Sequence, residues 1–303
     1  MKIAITTSSF ARYSDEPLEL LRQAGIDYVM NDKGRTLTEP ETIQLLAGCV
    51  GVAAGTELYT WHVLGSLPEL KVISRCGTGM DNICPTCAKA KGIALFNTPD
   101  GPTQAVAELT VGLMLGLLRQ FPRMDRDVRN GVWKKRMGSL LSGNRVGIVG
   151  FGRIGHAVAR LLEPFGVEIA YSDPFVEDKK YSKLGLDSLM DWAHIITLHC
   201  SKPQDGGYLL DRGRLSLMRP GSYIVNASRG GLVDETALAG LLMAGHLAGA
   251  ALDVYEKEPY KGPLKDVDNV ILTPHIGSYA RESRIIMETD TIKNLISFLK
   301  PGA

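Results

Sequence analysis

The chain is short of the features that mark several classes of protein. Its 303 residues include only 5 cysteines, an odd number, which argues against a disulfide framework and for reduced thiols. Net charge is nearly absent. The 34 Lys and Arg against 33 Asp and Glu give +1, spread along the chain, so neither a basic footprint for nucleic acid nor an acidic tail is visible. Long apolar runs are missing too: the longest, Leu109 to Leu118, contains glycine and is too short to span a bilayer. The opening Met1-Lys2-Ile3-Ala4-Ile5 turns polar at once and leaves no apolar segment for a signal peptide. No low-complexity tract or repeat of solenoid period occurs. These absences point to a cytoplasmic protein with a small-molecule ligand and with no nucleic-acid or membrane partner.

What is present is a regular alternation. Strand-like segments at Lys2 to Thr7, Ile26 to Met30, Cys49 to Ala54, Lys71 to Ser74 and Ile93 to Asn97 are separated by helix-like stretches, among them Leu58 to Leu67 and Cys84 to Lys91. Strands separated by single helices predict right-handed crossovers and a parallel sheet. A long helix over Thr103 to Leu118 is expected to pass to a second unit. There Arg145 to Val149 is expected to form an apolar strand, and Gly150, Gly152 and Gly155 follow in the spacing G-x-G-x-x-G. With Arg153 and Ile154 opening an amphipathic helix, this is the dinucleotide fingerprint: glycines for the turn, for approach of a pyrophosphate and for helix packing. The next strand, Val167 to Ser172, ends in Asp173. A carboxylate there accepts from a ribose 2′-hydroxyl and repels a 2′-phosphate, so the expected cofactor is NAD.

Further strands are expected at His194 to Leu198, Tyr223 to Ala227, Gly249 to Val254 and Val270 to Thr273. In doubly wound sheets ligands lie beyond the carboxyl ends of strands, and three residues there suit proton-coupled hydride transfer. Arg229 offers a planar fork for a carboxylate, His275 can exchange a proton, and Glu258 can orient and charge the imidazole.

Three stretches stay open on residues alone. Phe121 to Gly143 is basic, contains Trp133 and has no clear periodicity; it reads as a surface loop or as an arm to a second subunit. Cys84-Pro85-Thr86-Cys87 is a C-x-x-C with no second pair of ligands nearby, so no metal is expected, and ordinary helix-start residues are favoured over a redox pair. Tyr279 to Leu299 reads as a helix with Ile285, Ile292, Leu295, Ile296 and Leu299 along one stripe, able to return to the first unit.

Several motifs in order resemble the D-2-hydroxyacid dehydrogenase family: Arg75-Cys76-Gly77-Thr78-Gly79-Met80-Asp81-Asn82, Asn97-Thr98-Pro99, Gly150 to Gly155, Asn226-Ala227-Ser228-Arg229-Gly230, Asp253, Glu258-Pro259 and Thr273-Pro274-His275. The resemblance implies two doubly wound parallel-sheet α/β domains: a flavodoxin-like substrate domain, 1–98 with 278–303, and a Rossmann NAD-binding domain, 99–277. It implies Arg229, Glu258 and His275 as the catalytic set, Ala227 and Asp253 beside the cofactor, and a loop of Arg75, Cys76, Gly77, Thr78 and Gly79 giving N–H groups to the substrate carboxylate. It also implies a homodimer acting on a 2-hydroxy/2-oxo acid. The loop is most similar to members acting on 3-phosphoglycerate, but Val52-Ala53-Ala54 lacks the arginine such members use for phosphate. Arg12, Arg75, Lys134, Lys135 and Arg136 are the replacement candidates. Otherwise the substrate is a smaller acid such as glyoxylate or hydroxypyruvate. An NAD(H)-sensing corepressor-like binding protein is the alternative from another class.

Overall fold

The structure is a computed structural model describing residues 1–203 and 205–301. Gly302 and Ala303, which fall in the expected 278–303 segment, lie outside the described residues. Two compact units are present, Met1–Pro102 with Ser278–Ala303, and Thr103–Gly277.

The first unit runs β1 (Lys2–Ile5), α1 (Glu16–Gln23), β2 (Asp27–Met30), α2 (Glu39–Leu46), β3 (Gly51–Ala54), α3 (Trp61–Gly65), β4 (Val72–Arg75), α4 (Pro85–Ala90) and β5 (Ala94–Asn97). Its strands are all parallel in the order β2-β1-β3-β4-β5, with Ile3 opposite Gly51 and Val52 opposite Ile73. This is the flavodoxin-like order, and its switch point lies between β1 and β3, at Thr6 and Gly55. The helix expected over Leu58 to Leu67 is shorter. Thr60 caps it by accepting the Val63 N–H at 3.3 Å, while Tyr59 is drawn into a parallel bridge with Ile83.

The helix α5 (Gly101–Arg119) starts two residues before the second unit and leads into it, followed there by α6 (Phe121–Arg129), β6 (Arg145–Val149), α7 (Arg153–Leu162), β7 (Glu168–Ser172), β8 (Ser182–Lys183) and α8 (Leu186–Trp192). It continues with β9 (Ile195–Leu198), α9 (Arg212–Leu217), β10 (Tyr223–Asn226), α10 (Glu235–Met243), β11 (Gly249–Leu252) and β12 (Val270–Leu272). Its seven strands are parallel, in the order β12-β11-β10-β9-β6-β7-β8. Central strands such as β9 and β11 are buried at every residue, as helices on both faces require. The 19-residue α5, with mean hydropathy 1.2, is long and apolar enough to cross a membrane by length and composition alone. However, 61% of it is buried, and Ala107, Met114 and Leu117 pack with Val146, Ile148 and Ile195, so it is built as a core helix.

Three expectations need correction. The segment after Phe121 is not a plain loop, because α6 forms there with Pro122 in its first turn and no buried residue. The chain then carries Trp133 and Met137 at 86% and 93% exposure. Second, the thiols are not all reduced: Cys84 and Cys87 are joined by a disulfide, while Cys49, Cys76 and Cys200 are free. One helical turn sets their Cα atoms 5.2 Å apart, within bonding reach.

Third, α11 (Arg281–Leu299) packs against α1, β3, β4 and β5 of the first unit, but not on a purely apolar stripe. Ile292 and Leu295 are buried, whereas Ile285, Ile296 and Leu299 are half-buried and Arg284, Glu288 and Thr291 fill the inner face. The Arg284 guanidinium donates to Glu288 Oε1 at 2.5 Å, and Glu288 Oε2 accepts the Ala11 N–H at 2.8 Å. Paired charges can be buried where a lone one could not.

Candidate active site

The glycines after β6 divide into closed and open positions. Gly150 has φ +88°, and a Cβ on it would lie 2.5 Å from the His199 carbonyl oxygen. A Cβ on Gly155 would meet the Gly150 carbonyl oxygen at 2.3 Å, so the first turn of α7 rests directly on the glycine turn. Gly152, the N-cap of α7, has nothing within 4 Å of an added Cβ. That open space lies at the helix N-terminus, beside the first-turn residues Arg153 and Ile154, where backbone N–H groups and the helix dipole favour a pyrophosphate. The residues present therefore fit a dinucleotide.

Asp173 closes the cradle from β7. Its Oδ2 accepts the Phe151 N–H at 2.8 Å, and its Oδ1 accepts those of Phe175 and Val176 at 2.8 and 3.0 Å. Burial works to raise the carboxyl, but these three N–H groups outweigh it and hold the group below the ordinary aspartate value. A fixed anion results, with lone pairs left over for hydroxyl donors.

Beyond β10, Asn226 shapes the turn that carries Arg229. Its Nδ2 donates to the Arg229 carbonyl at 2.9 Å and its Oδ1 accepts the Ser228 N–H at 3.1 Å. Ser228 Oγ donates to the Cys200 carbonyl at 2.7 Å, tying the ends of β10 and β9, and Ala227 is buried beneath. Gly230 then presses onto the backbone of Tyr255 so closely that no side chain fits. Tyr255 donates its N–H to Glu258 Oε1 at 3.3 Å and stacks on Tyr260 at 4.3 Å, while the Glu256 N–H reaches Glu235 Oε1 at 2.8 Å. Gly230, Tyr255 and Glu235 thus fix the loop bearing Glu258. In the sequence Gly230 stands out only as part of its motif, in the double glycine after Arg229, and Tyr255 and Glu235 carry no signal of this role.

His275 sits in a turn with φ +55°, an uncommon conformation for a side-chain-bearing residue. Asp253 holds that turn. Fully buried, it accepts from Thr273 Oγ1 at 2.6 Å, from the Ile276 N–H at 2.8 Å and from the Gly277 N–H at 2.7 Å. Asp253, expected beside the cofactor, braces the histidine turn.

His275 Nδ1 lies 2.9 Å from Glu258 Oε2 and 3.1 Å from Oε1. The hydrogen bond that the ring donates to Glu258, first of all, raises the imidazole above its ordinary value against burial. The glutamate charge adds to it, and the nearby Arg229 charge opposes it. In Glu258 burial works upward, but the bond to and charge of His275 prevail and lower it. Among the described residues nothing hydrogen-bonds His275 Nε2, so the ring presents it to a ligand. Arg229, Glu258 and His275 therefore lie together.

In the first unit the Arg75–Gly79 loop follows β4. The Cys76 N–H donates to the Ala54 carbonyl at 2.9 Å, and Gly77, at φ +136°, donates its N–H to Thr98 Oγ1 at 2.8 Å. Asn97 Nδ2 holds the Thr78 carbonyl at 2.8 Å. The Arg75 guanidinium folds back onto the Cys76 carbonyl. Of the expected N–H donors, those of Cys76 and Gly77 are consumed internally, whereas Thr78 and Gly79 donate to no acceptor among the described residues. Below this loop Glu57, 2% exposed, accepts from the Gly55 N–H at 3.0 Å, the Tyr59 hydroxyl at 2.6 Å and Thr6 Oγ1. No cluster of His, Cys, Asp and Glu among the described residues is arranged to hold a metal ion.

Comparison with known proteins agrees with this architecture. Residues 111–277 match the family described as D-isomer specific 2-hydroxyacid dehydrogenase, NAD binding domain. A D-3-phosphoglycerate dehydrogenase of Archaeoglobus fulgidus is 37% identical over 79% of this chain and 47% of its own length. One from Sus scrofa is 36% identical over 88% of this chain and 51% of its own. The chain thus spans about half the length of the curated relatives it matches. Among solved structures, the TT0316 protein of Thermus thermophilus superposes with a TM-score of 0.92 at 32% identity, covering 99% of this chain and 97% of that one. A glyoxylate reductase of Paecilomyes thermophila gives 0.89 at 27% identity, covering 100% and 96%. The chain belongs to the D-isomer specific 2-hydroxyacid dehydrogenase family, whose NAD-binding domain it carries in its second unit.

Proposed function

We propose that the chain is an NAD-dependent oxidoreductase acting on a D-2-hydroxy acid/2-oxo acid pair. The observation that carries this reading is His275 Nδ1 held 2.9 Å from Glu258, with Arg229 close enough to oppose its protonation. Bound NAD supplies the hydride acceptor, and its reduced form the donor. The Arg229 guanidinium orients the substrate carboxylate and carbonyl oxygen through its planar fork. His275 Nε2 gives a proton to that oxygen during reduction and takes it back during oxidation. Glu258 fixes the ring and stabilises the imidazolium. Thr78 and Gly79 supply N–H donors to the carboxylate, and Asp173 selects NAD over its 2′-phosphorylated form.

The named relatives support 3-phosphoglycerate/3-phosphohydroxypyruvate as the pair. A second reading, a smaller acid such as glyoxylate or hydroxypyruvate, is favoured by β3 ending in Ala53 and Ala54, and by Arg136 being held by Asp127 at 2.7 Å. Turnover of NADH with a panel of 2-oxo acids decides. The highest kcat/KM on 3-phosphohydroxypyruvate supports the first reading and on glyoxylate or hydroxypyruvate the second; no turnover of any refutes the enzyme. We also infer a homodimer, built on the apolar residues Trp133, Met137 and Leu140, which are 86%, 93% and 71% exposed. Sedimentation equilibrium showing only monomer at micromolar concentration would exclude it.

A further inference from the structure

The Cys84–Cys87 disulfide has no part in the chemistry above, yet it stands at the end of the loop that begins at Arg75. Cys84 is partly exposed and is followed by exposed Pro85 and Thr86, whereas Cys87 is 7% exposed. An external thiolate therefore reaches Cys84 Sγ, with Cys87 as the leaving sulfur. Upstream, short contacts connect Cys84 to the loop. The Cys84 N–H donates to the Tyr59 carbonyl at 3.1 Å, the Tyr59 N–H to the Asn82 carbonyl at 2.8 Å and the Ile83 N–H to the Met80 carbonyl at 3.0 Å. Asn82 Nδ2 in turn donates to the Gly55 and Glu57 carbonyls at 3.1 and 2.7 Å. With Gly77 fixed to Thr98 at the near end, the disulfide stands at the far end of this loop, where Cys84 caps α4.

We propose that Cys84 and Cys87 form a reversible dithiol–disulfide site, reduced by a dithiol, whose state sets the mobility of the Gly77–Ile83 loop. In the forward direction one thiolate of the reductant attacks Cys84 Sγ, forming a mixed disulfide. The Cys87 sulfur leaves with the electron pair of the broken S–S bond and takes up the proton lost by the attacking thiol. The second thiol of the reductant then attacks its own sulfur in the mixed disulfide and releases Cys84 as a thiol. The reductant ends as a cyclic disulfide and the protein gains two electrons and two protons. The remaining cysteines do not compete: Cys49 and Cys76 are buried and free, and burial pushes the Cys200 thiol up to about 11, leaving it protonated at neutral pH. Such an exchangeable pair suits a compartment in which structural disulfides do not persist.

The test uses the whole protein, air-equilibrated or treated with dithiothreitol, then alkylated without unfolding and mapped by peptide mass. The expected result is no label on Cys84 before reduction and full label after it. Label on Cys84 in the never-reduced protein would overturn the site. Amide hydrogen exchange should accelerate at least threefold across residues 77–83 on reduction. Cys84→Ser, which keeps a capping oxygen, should show the faster rate with or without dithiothreitol; equal exchange in both states of the native protein would overturn the coupling. An effect on turnover rests on the proposed role of Thr78 and Gly79 in holding substrate. A changed exchange rate with an unchanged KM for the 2-oxo acid would refute that role while leaving the redox site standing.

Discussion

Gly230 and Tyr255 touch backbone to backbone: a Cβ built on Gly230 would lie 1.7 Å from the Tyr255 carbonyl oxygen. The Arg229 turn and the Glu258 loop are thereby two sides of one contact. Gly230→Ala must push them apart, at a cost of about 1–3 kcal/mol for overpacking. Thermal unfolding should move to lower temperature and kcat/KM should fall at least tenfold, with NADH affinity changed far less. A variant with native melting temperature and activity would show the contact to be unimportant.

His275→Ala should reduce kcat by roughly 10²–10⁴, the usual worth of a positioned general acid. Because the side chain belongs to no part of the glycine cradle, NADH binding followed by fluorescence should survive. Retained turnover would remove His275 from proton transfer.

Glu258→Gln predicts a displaced pH profile. The carboxylate raises the His275 pKa in the native protein through its hydrogen bond and its charge, so its removal lowers that pKa. In the proposed reaction, reduction of a 2-oxo acid needs the protonated imidazole, and its rate should begin to decline at a lower pH than in the native protein. Oxidation needs the neutral ring, and its acidic limb should move to lower pH as well. Limbs that stay in place would argue that Glu258 only supports the loop.

Asp173→Asn leaves an acceptor for the Phe175 and Val176 N–H groups but removes the charge beside Phe151. Loss of a charged hydrogen bond to the ribose, about 1.5–3 kcal/mol, should raise the KM for NAD more than tenfold. Discrimination against NADP should narrow at the same time. Equal selectivity in the variant and the native protein would mean that another group reads the ribose.

The parallel layers were legible because consecutive β-strands joined by helices leave a strong periodic trace, and the fingerprint because each of its glycines is demanded by a particular steric limit. The contact of Gly230 was not, since closeness between residues distant in sequence leaves no local pattern. α6 escaped for the opposite reason: with no buried residue it imposes no apolar period on Phe121–Arg129. The inner face of α11 misled because Arg284 and Glu288 read as solvent-facing until their pairing is seen. Strand β8, two exposed residues at a sheet edge, carries too little sequence to announce itself. Asp253 could be recognised as important from its motif, but only geometry shows it bracing the turn at His275.

The return of α11 to the first unit has a consequence for synthesis. Ile3, Ile5, Ala53 and Val72 share a core with Leu21 of α1 and with Ile292 and Leu295, so this face of the first sheet is incompletely covered until α11 has left the ribosome. Residues 103–277, contiguous in the chain, can condense before that, while the unit begun first waits for some two hundred residues to pass, consistent with domains folding as units during translation. The earliest strands made are thus the last to be completed, and for that interval they are the part of the nascent chain most open to wrong partners.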